Sequence, residues 1–137
     1  MVLLLDTNII SRLRRLDRAP PEFGAWARSI RLDEVYLSVV TVMELENGIL
    51  SVAGRDPPFA QVLRDWQAGL LSEFAARIVP IDTAIALRCA RLQSQRSIDV
   101  ADALIAATAL EGGFALVTHN MRHFADFGLT LINPFLA

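Results

Sequence analysis

The chain contains no lysine; all 13 of its basic residues are arginine. That absence excludes several function classes. A Walker-type ATPase needs a lysine on the phosphates, and a protein kinase needs one on its third strand. Schiff-base and pyridoxal chemistry need an amine nucleophile. Aspartyl-phosphate phosphatases and receiver domains go with them, although they too place an Asp after an apolar strand. Cysteine is nearly absent as well. Cys89 stands alone, so no internal disulfide can form, and it reads as a small buried residue. Long apolar runs are missing: Val35–Met43 is about half the roughly 20 residues of a membrane helix. The start, MVLLLD, has no basic flank, and Asp6 breaks its apolar stretch. No secretory leader is expected, and the expected location is a reducing cytoplasm. Neither G-x-S-x-G nor G-x-G-x-x-G occurs.

What is present describes a globular α/β chain. Its 137 residues suit one domain, 1–137. The apolar fraction of 53% and mean hydropathy of +0.40 supply an ample core. Val2–Leu5 reads as a buried strand, Val35–Val40 as a second and Arg77–Ile81 as a third. Phe114–Val117 and Leu129–Ile132 complete the set. Helical spacing marks Thr7–Leu16, Glu22–Ile30 and Phe59–Ala76, the last with a stripe of Val62, Trp66, Leu70 and Phe74. Thr41 and Glu44 form a T-x-x-E capping box that predicts a helix starting near Thr41. Asp82 or Thr83 caps the next helix, through Leu87, Ala90 and Leu92. Ser97–Asp102 opens an alanine-rich helix that ends at Gly112–Gly113, and Asn120–Phe124 is a turn or short helix. Alternating strands and helices predict a central, mainly parallel sheet with helices on both faces.

In such a sheet, ligands bind beyond the carboxyl ends of the strands. The polar residues that fall there are Asp6, Glu44, Asp99, Asp102, Thr118 and Asn120. Gathered carboxylates repel, so they are either protonated or matched by a cation. Hard oxygen donors without thiolate suit Mg²⁺ or Mn²⁺. Each residue also has a structural explanation. Asp6 can cap the helix from Thr7, and Glu44 can serve its capping box. Asp99 is well explained as an N-cap, and Asp102 sits at N3 of the same helix. His119 and His123 are four apart, but zinc lacks a third soft ligand nearby. Arg12, Arg14, Arg15 and Arg18 form either a solvated helix face or a phosphate-contacting patch.

Four segments, LLLDTNII, SVVTVMELENGI, DALIAATAL and LVTHNMRHF, occur in one order. Together they resemble the PIN-domain ribonucleases, specifically the toxins of VapBC-type toxin–antitoxin pairs. The resemblance runs from Val2 to about Phe135. It implies a PIN-like fold and an acidic pocket holding Mg²⁺ or Mn²⁺. It also implies cleavage of RNA (tRNA, rRNA or mRNA) by metal-activated water. Asp6, Glu44 and Asp102 match the acidic ligands, and Asn120 falls where many members carry an acid. Thr7, Asn8 and Thr118 match supporting polar positions, with Asp99 beside them. Arg12 and Arg15 would hold flanking phosphates. The implied partners are a small antitoxin, which enters the acidic pocket with an arginine, and a second copy in a homodimer. Phe23 and Trp26 serve such a contact or simply pack in the core. A catalytically dead PIN scaffold, or a metal-dependent phosphatase or DNA nuclease, is the alternative.

Overall fold

The structure, a computed structural model, describes residues 1–136. The chain runs β1 (Leu3–Leu5), α1 (Thr7–Leu13), α2 (Pro21–Ser29), β2 (Val35–Ser38), α3 (Val39–Ala53) and α4 (Pro57–Glu73). It continues through β3 (Ile78–Val79), α5 (Thr83–Gln95), α6 (Val100–Gly112), β4 (Ala115–Val117), α7 (Met121–Phe124) and β5 (Leu131–Ile132). The sheet order is β3-β2-β1-β4-β5, and every pairing is parallel. Among the described residues no helix is long and apolar enough to cross a membrane.

The strands are apolar throughout because the sheet is covered on both faces. Alternation sorts their side chains. Leu4 and Leu116 join the core beneath α5 and α6, with Ile85, Cys89 and Ile105. Leu3, Leu5, Val35, Leu37, Ala115 and Val117 point the other way, toward Ile9, Phe23, Leu45 and Phe74. Phe23 is wholly buried and stacks on Phe135, so its role is core packing and not a partner contact.

Several local expectations shift. The second strand stops at Ser38, not Val40, because the Ser38 side chain accepts from the Val40 N–H and starts α3 there. The Thr41–Glu44 capping box is therefore not formed: both residues lie inside α3, facing α1. On α4, Val62 is 54% exposed, and Leu63 faces inward instead. On α5, Leu87 is likewise exposed, while Ile85, Cys89 and Leu92 are buried. Asp82 caps α5 through the Ile85 N–H.

Helix α6 ends at Gly113, which takes φ +71° and returns its N–H to the Ala109 carbonyl. A methyl group there would meet no neighbouring atom, so only backbone conformation opposes one. Gly113→Ala should cost about 1–2 kcal/mol. Urea denaturation would show a lower midpoint at unchanged slope.

Candidate active site

The chain lays down β2 and β3 on one side of β1, and β4 and β5 on the other. The crevice of such a sheet opens where the order reverses, between the carboxyl ends of β1 and β4. Asp6 follows β1 directly, and Thr118 follows β4.

Asp6 is 4% exposed. Its Oδ1 accepts from the Thr7 backbone N–H at 2.8 Å, and its Oδ2 accepts from the Thr118 hydroxyl at 2.8 Å. Thr118 Oγ1 in turn accepts from the Asn120 N–H at 3.0 Å. Thr118 thus fixes both Asp6 and the turn that carries Asn120. On the other side, the Thr7 hydroxyl donates to Glu44 Oε1 at 2.6 Å. It also lies 3.1 Å from Thr41 Oγ1. Ser38 and Thr41, both wholly buried, aim the first turns of α3 at α1.

Asp102 comes from the first turn of α6 and faces His123 of α7, Oδ2 to Nδ1 at 3.1 Å. Asp99 occupies the N-cap position of α6, but its side chain makes no cap bond. It turns toward the same depression as Asp102. This open pocket, of about 480 Å³, is bordered by Asp6, Thr7, Asn8 and Glu44 on one side. Asp99, Asp102, Asn120 and His123 border the other. Arg12 and Arg15 lie outside its lining. The Arg15 guanidinium is bidentate to Asp17, at 3.1 and 2.9 Å. Arg12 sits over the Phe135 ring.

The sequence reading weighed His123 only as a zinc ligand and so missed it in this site. Its place on α7, three residues after Asn120, brings it near the site but does not encode its contact with Asp102. Thr41 was also missed, because it was assigned to capping.

The electrostatics of the pocket are unfavourable as it stands. Burial pushes the Asp6 carboxyl above its usual range, and the Asp102 charge adds to this, while Thr118 and Thr7 oppose it. Burial also raises Asp102; His123 pulls it down, and Asp99 and Glu44 push it up. Among the described residues no three His, Cys, Asp or Glu side chains come together as a ready-made metal cage. Mg²⁺ does not require one, since it typically takes one or two carboxylates and keeps several waters. Apart from the His123 imidazole, the donors present are hard oxygens, and Asn8 Oδ1 is buried without any hydrogen-bond partner. This set fits a hard divalent cation.

Comparison with known proteins agrees with the fold and its order. The PIN domain family model matches residues 3–128. The VapC ribonuclease Y4jK of Sinorhizobium fredii is 34% identical over 98% of this chain and 98% of its own. The crystal structure of FitAcB from Neisseria gonorrhoeae superposes with a TM-score of 0.87. It is 33% identical, over 99% of this chain and 100% of that one. A toxin–antitoxin complex from Klebsiella pneumoniae reaches 0.68 at 27% identity, over 96% and 97% of the two chains.

A carboxyl with a raised pKa holds its proton more tightly when folded. Its stability contribution is complete at pH below the unfolded value and is lost as pH rises through the folded one. Ionised Asp102 therefore costs stability at neutral pH. Asp102→Asn, in EDTA at pH 7, should melt higher than the native chain by roughly 2–4 °C. The gap should close below about pH 4. Mg²⁺ should raise the melting temperature of the native chain and leave the variant unmoved.

Proposed function

The chain belongs to the PIN domain family, and on that premise we propose that it is a Mg²⁺- or Mn²⁺-dependent endoribonuclease, the toxin of a toxin–antitoxin pair. The observation that carries this reading is the acidic pocket at the reversal of strand order, with Asp6, Glu44, Asp102 and Asn120 on its walls. Two names among its relatives, a VapC ribonuclease and a toxin–antitoxin complex, support it.

In this reading the 137 residues work as one nuclease domain in the cytoplasm. Asp6 and Asp102 would hold the ion directly, and Glu44 would hold it through water. Such an ion, when bound, lowers the pKa of a water and offsets charge on a phosphoryl group. The protein's own share is orientation. Thr7 and Thr118 fix the Asp6 carboxylate. Glu44, anchored by the Thr7 hydroxyl, accepts a hydrogen bond from the attacking water and takes its proton. Asn120 supplies a neutral amide to that water or to the scissile phosphate, and no further charge. Arg12 and Arg15 hold phosphates farther along the strand, outside the pocket. Asp99 and Asn8 complete the pocket's polar wall beside these ligands.

The antitoxin finds a seat beside this pocket. A groove of about 310 Å³ between α1, α3 and α4 is walled by Leu45, Ile49, Val52, Leu63 and Trp66. Thr7 and Glu44 border both the groove and the acidic pocket. A partner segment with an apolar stretch and one cationic side chain fills the groove and neutralises the pocket together. A second copy of the chain completes the homodimer.

The test is cleavage of end-labelled tRNA, rRNA and mRNA fragments by purified protein in Mg²⁺, Mn²⁺ or EDTA. Cutting should require the metal, and Asp6→Asn or Asp102→Asn should lower it at least a hundredfold while the fold is retained. Full activity in either variant would refute the assignment. Absence of cutting by folded, antitoxin-free protein would favour an inactive scaffold.

A further inference from the structure

A second depression, of about 450 Å³, adjoins the acidic pocket and shares Asn120 and His123 with it. Its other walls are His119, Met121, Arg122 and Asn133. Its chemistry is the reverse of its neighbour's. Among the described residues no carboxylate lines it, whereas four border the acidic pocket. Its volume lies in the usual small-ligand range of about 300–1,000 Å³.

Three of its features are fixed in advance. The exposed His119 ring is backed by Phe135, with centroids 4.6 Å apart, and Phe135 stacks on buried Phe23 at 4.8 Å. An aromatic column thus rises from the core and presents an imidazole at the surface. Asn133 Oδ1 accepts from the Phe135 N–H at 3.0 Å, which fixes the amide's orientation, and among the described residues its NH₂ group has no partner. The wall carrying Arg122 and His123 is held from behind by Arg96. The Arg96 guanidinium donates to the carbonyls of Arg122, His123 and Ala125, and it stacks on Phe127. Among the described residues the Arg122 guanidinium makes no ion pair.

We infer that this depression is the subsite for the nucleotide flanking the scissile phosphate, and that it selects the base. This rests on the ribonuclease reading above. Single-stranded RNA is recognised by bases splayed onto aromatic or imidazole faces and read at their edges. His119 provides the stacking face, Arg122 the contact to the phosphate beyond, and Asn133 the edge reader. An asparagine that reads adenine uses its oxygen and its nitrogen together. Here the oxygen is engaged by Phe135, so the remaining NH₂ matches a base carbonyl. Uracil, guanine and cytosine offer one, whereas adenine meets a lone NH₂ only at a ring nitrogen, without the second bond of the usual asparagine–adenine pair.

Binding can be read without turnover. Fluorescein-labelled penta-uridine and penta-adenosine RNAs are titrated with the full chain in EDTA and followed by anisotropy. The native chain should bind penta-uridine more tightly. His119→Ala should weaken that binding roughly 5- to 100-fold, the effect of removing a stacking side chain. His119→Phe, which keeps a stacking face, should restore it; melting curves confirm that both variants are folded. Asn133→Asp retains the acceptor for Phe135 and loses the donor, so the uridine preference should vanish. Unchanged affinity in His119→Ala, or no binding by the native chain, overturns the subsite. A uridine preference that survives in Asn133→Asp overturns the base-reading role. A chain that binds through His119 yet cuts no RNA with metal refutes the ribonuclease reading and leaves the subsite standing. Metal-dependent cutting indifferent to His119→Ala does the converse.

Discussion

A carboxylate with 4% exposure, placed at the end of the central strand, sets the terms for everything around it. Burying an anion is costly unless donors replace the lost water. Asp6 obtains two, the Thr7 N–H and the Thr118 hydroxyl. The first exists only because a helix begins at once after β1. The second exists only because β4 lies beside β1 in parallel register, Leu5 opposite Val117. Sheet order, register and helix start are therefore all required by one side chain.

The donors that support the pocket are neutral. Threonine hydroxyls contact Asp6 and Glu44, and no arginine does so. Elsewhere the chain pairs its acids with arginine freely, as in Arg15–Asp17, Arg31–Asp33, Arg64–Glu46 and Arg88–Glu111. An arginine in the pocket would satisfy the carboxylates and leave no reason for a metal to enter. Neutral support orients the anions without spending their charge, and burial, with a smaller push from neighbouring carboxylates, raises Asp6 and Asp102. The imidazole of His123 is the sole exception among the described ion pairs of the pocket.

Much of this was legible in the sequence, for physical reasons that differ by residue. Strands buried on both faces are apolar without alternation, so LLL and ALV announced the centre of the sheet. Asp6 and Asp102 were legible as wall residues because an acid directly after such a strand, or in the first turn of a helix at the same edge, falls where a parallel sheet opens. Glu44 was legible from its place beyond the second strand, but the capping box offered as its structural explanation is not formed, because Ser38 captures the helix start first. Capping boxes are local signals, and a better-placed serine three residues upstream overrides them. The stripe on α4 was misjudged at Val62, since a stripe chosen from spacing alone leaves the rotation of the helix open. His123 escaped because its contact with Asp102 spans 21 residues and no local pattern encodes it.

Helix α6 is buried on almost every side, with Ala103, Ala106 and Ala107 fully enclosed. It has no amphipathic face to be held by, and its rotation is fixed by small side chains packed in the core with Ile85, Cys89 and Leu92. Each residue turns the helix by about 100°, so a slip of one position would carry Asp102 from the rim into the core. An added methylene at any of those alanines would press the helix outward and take Asp102 with it. Drift in the sequence is thus most constrained at residues with no chemistry of their own. A lineage could lose this pocket through an alanine without altering a single carboxylate.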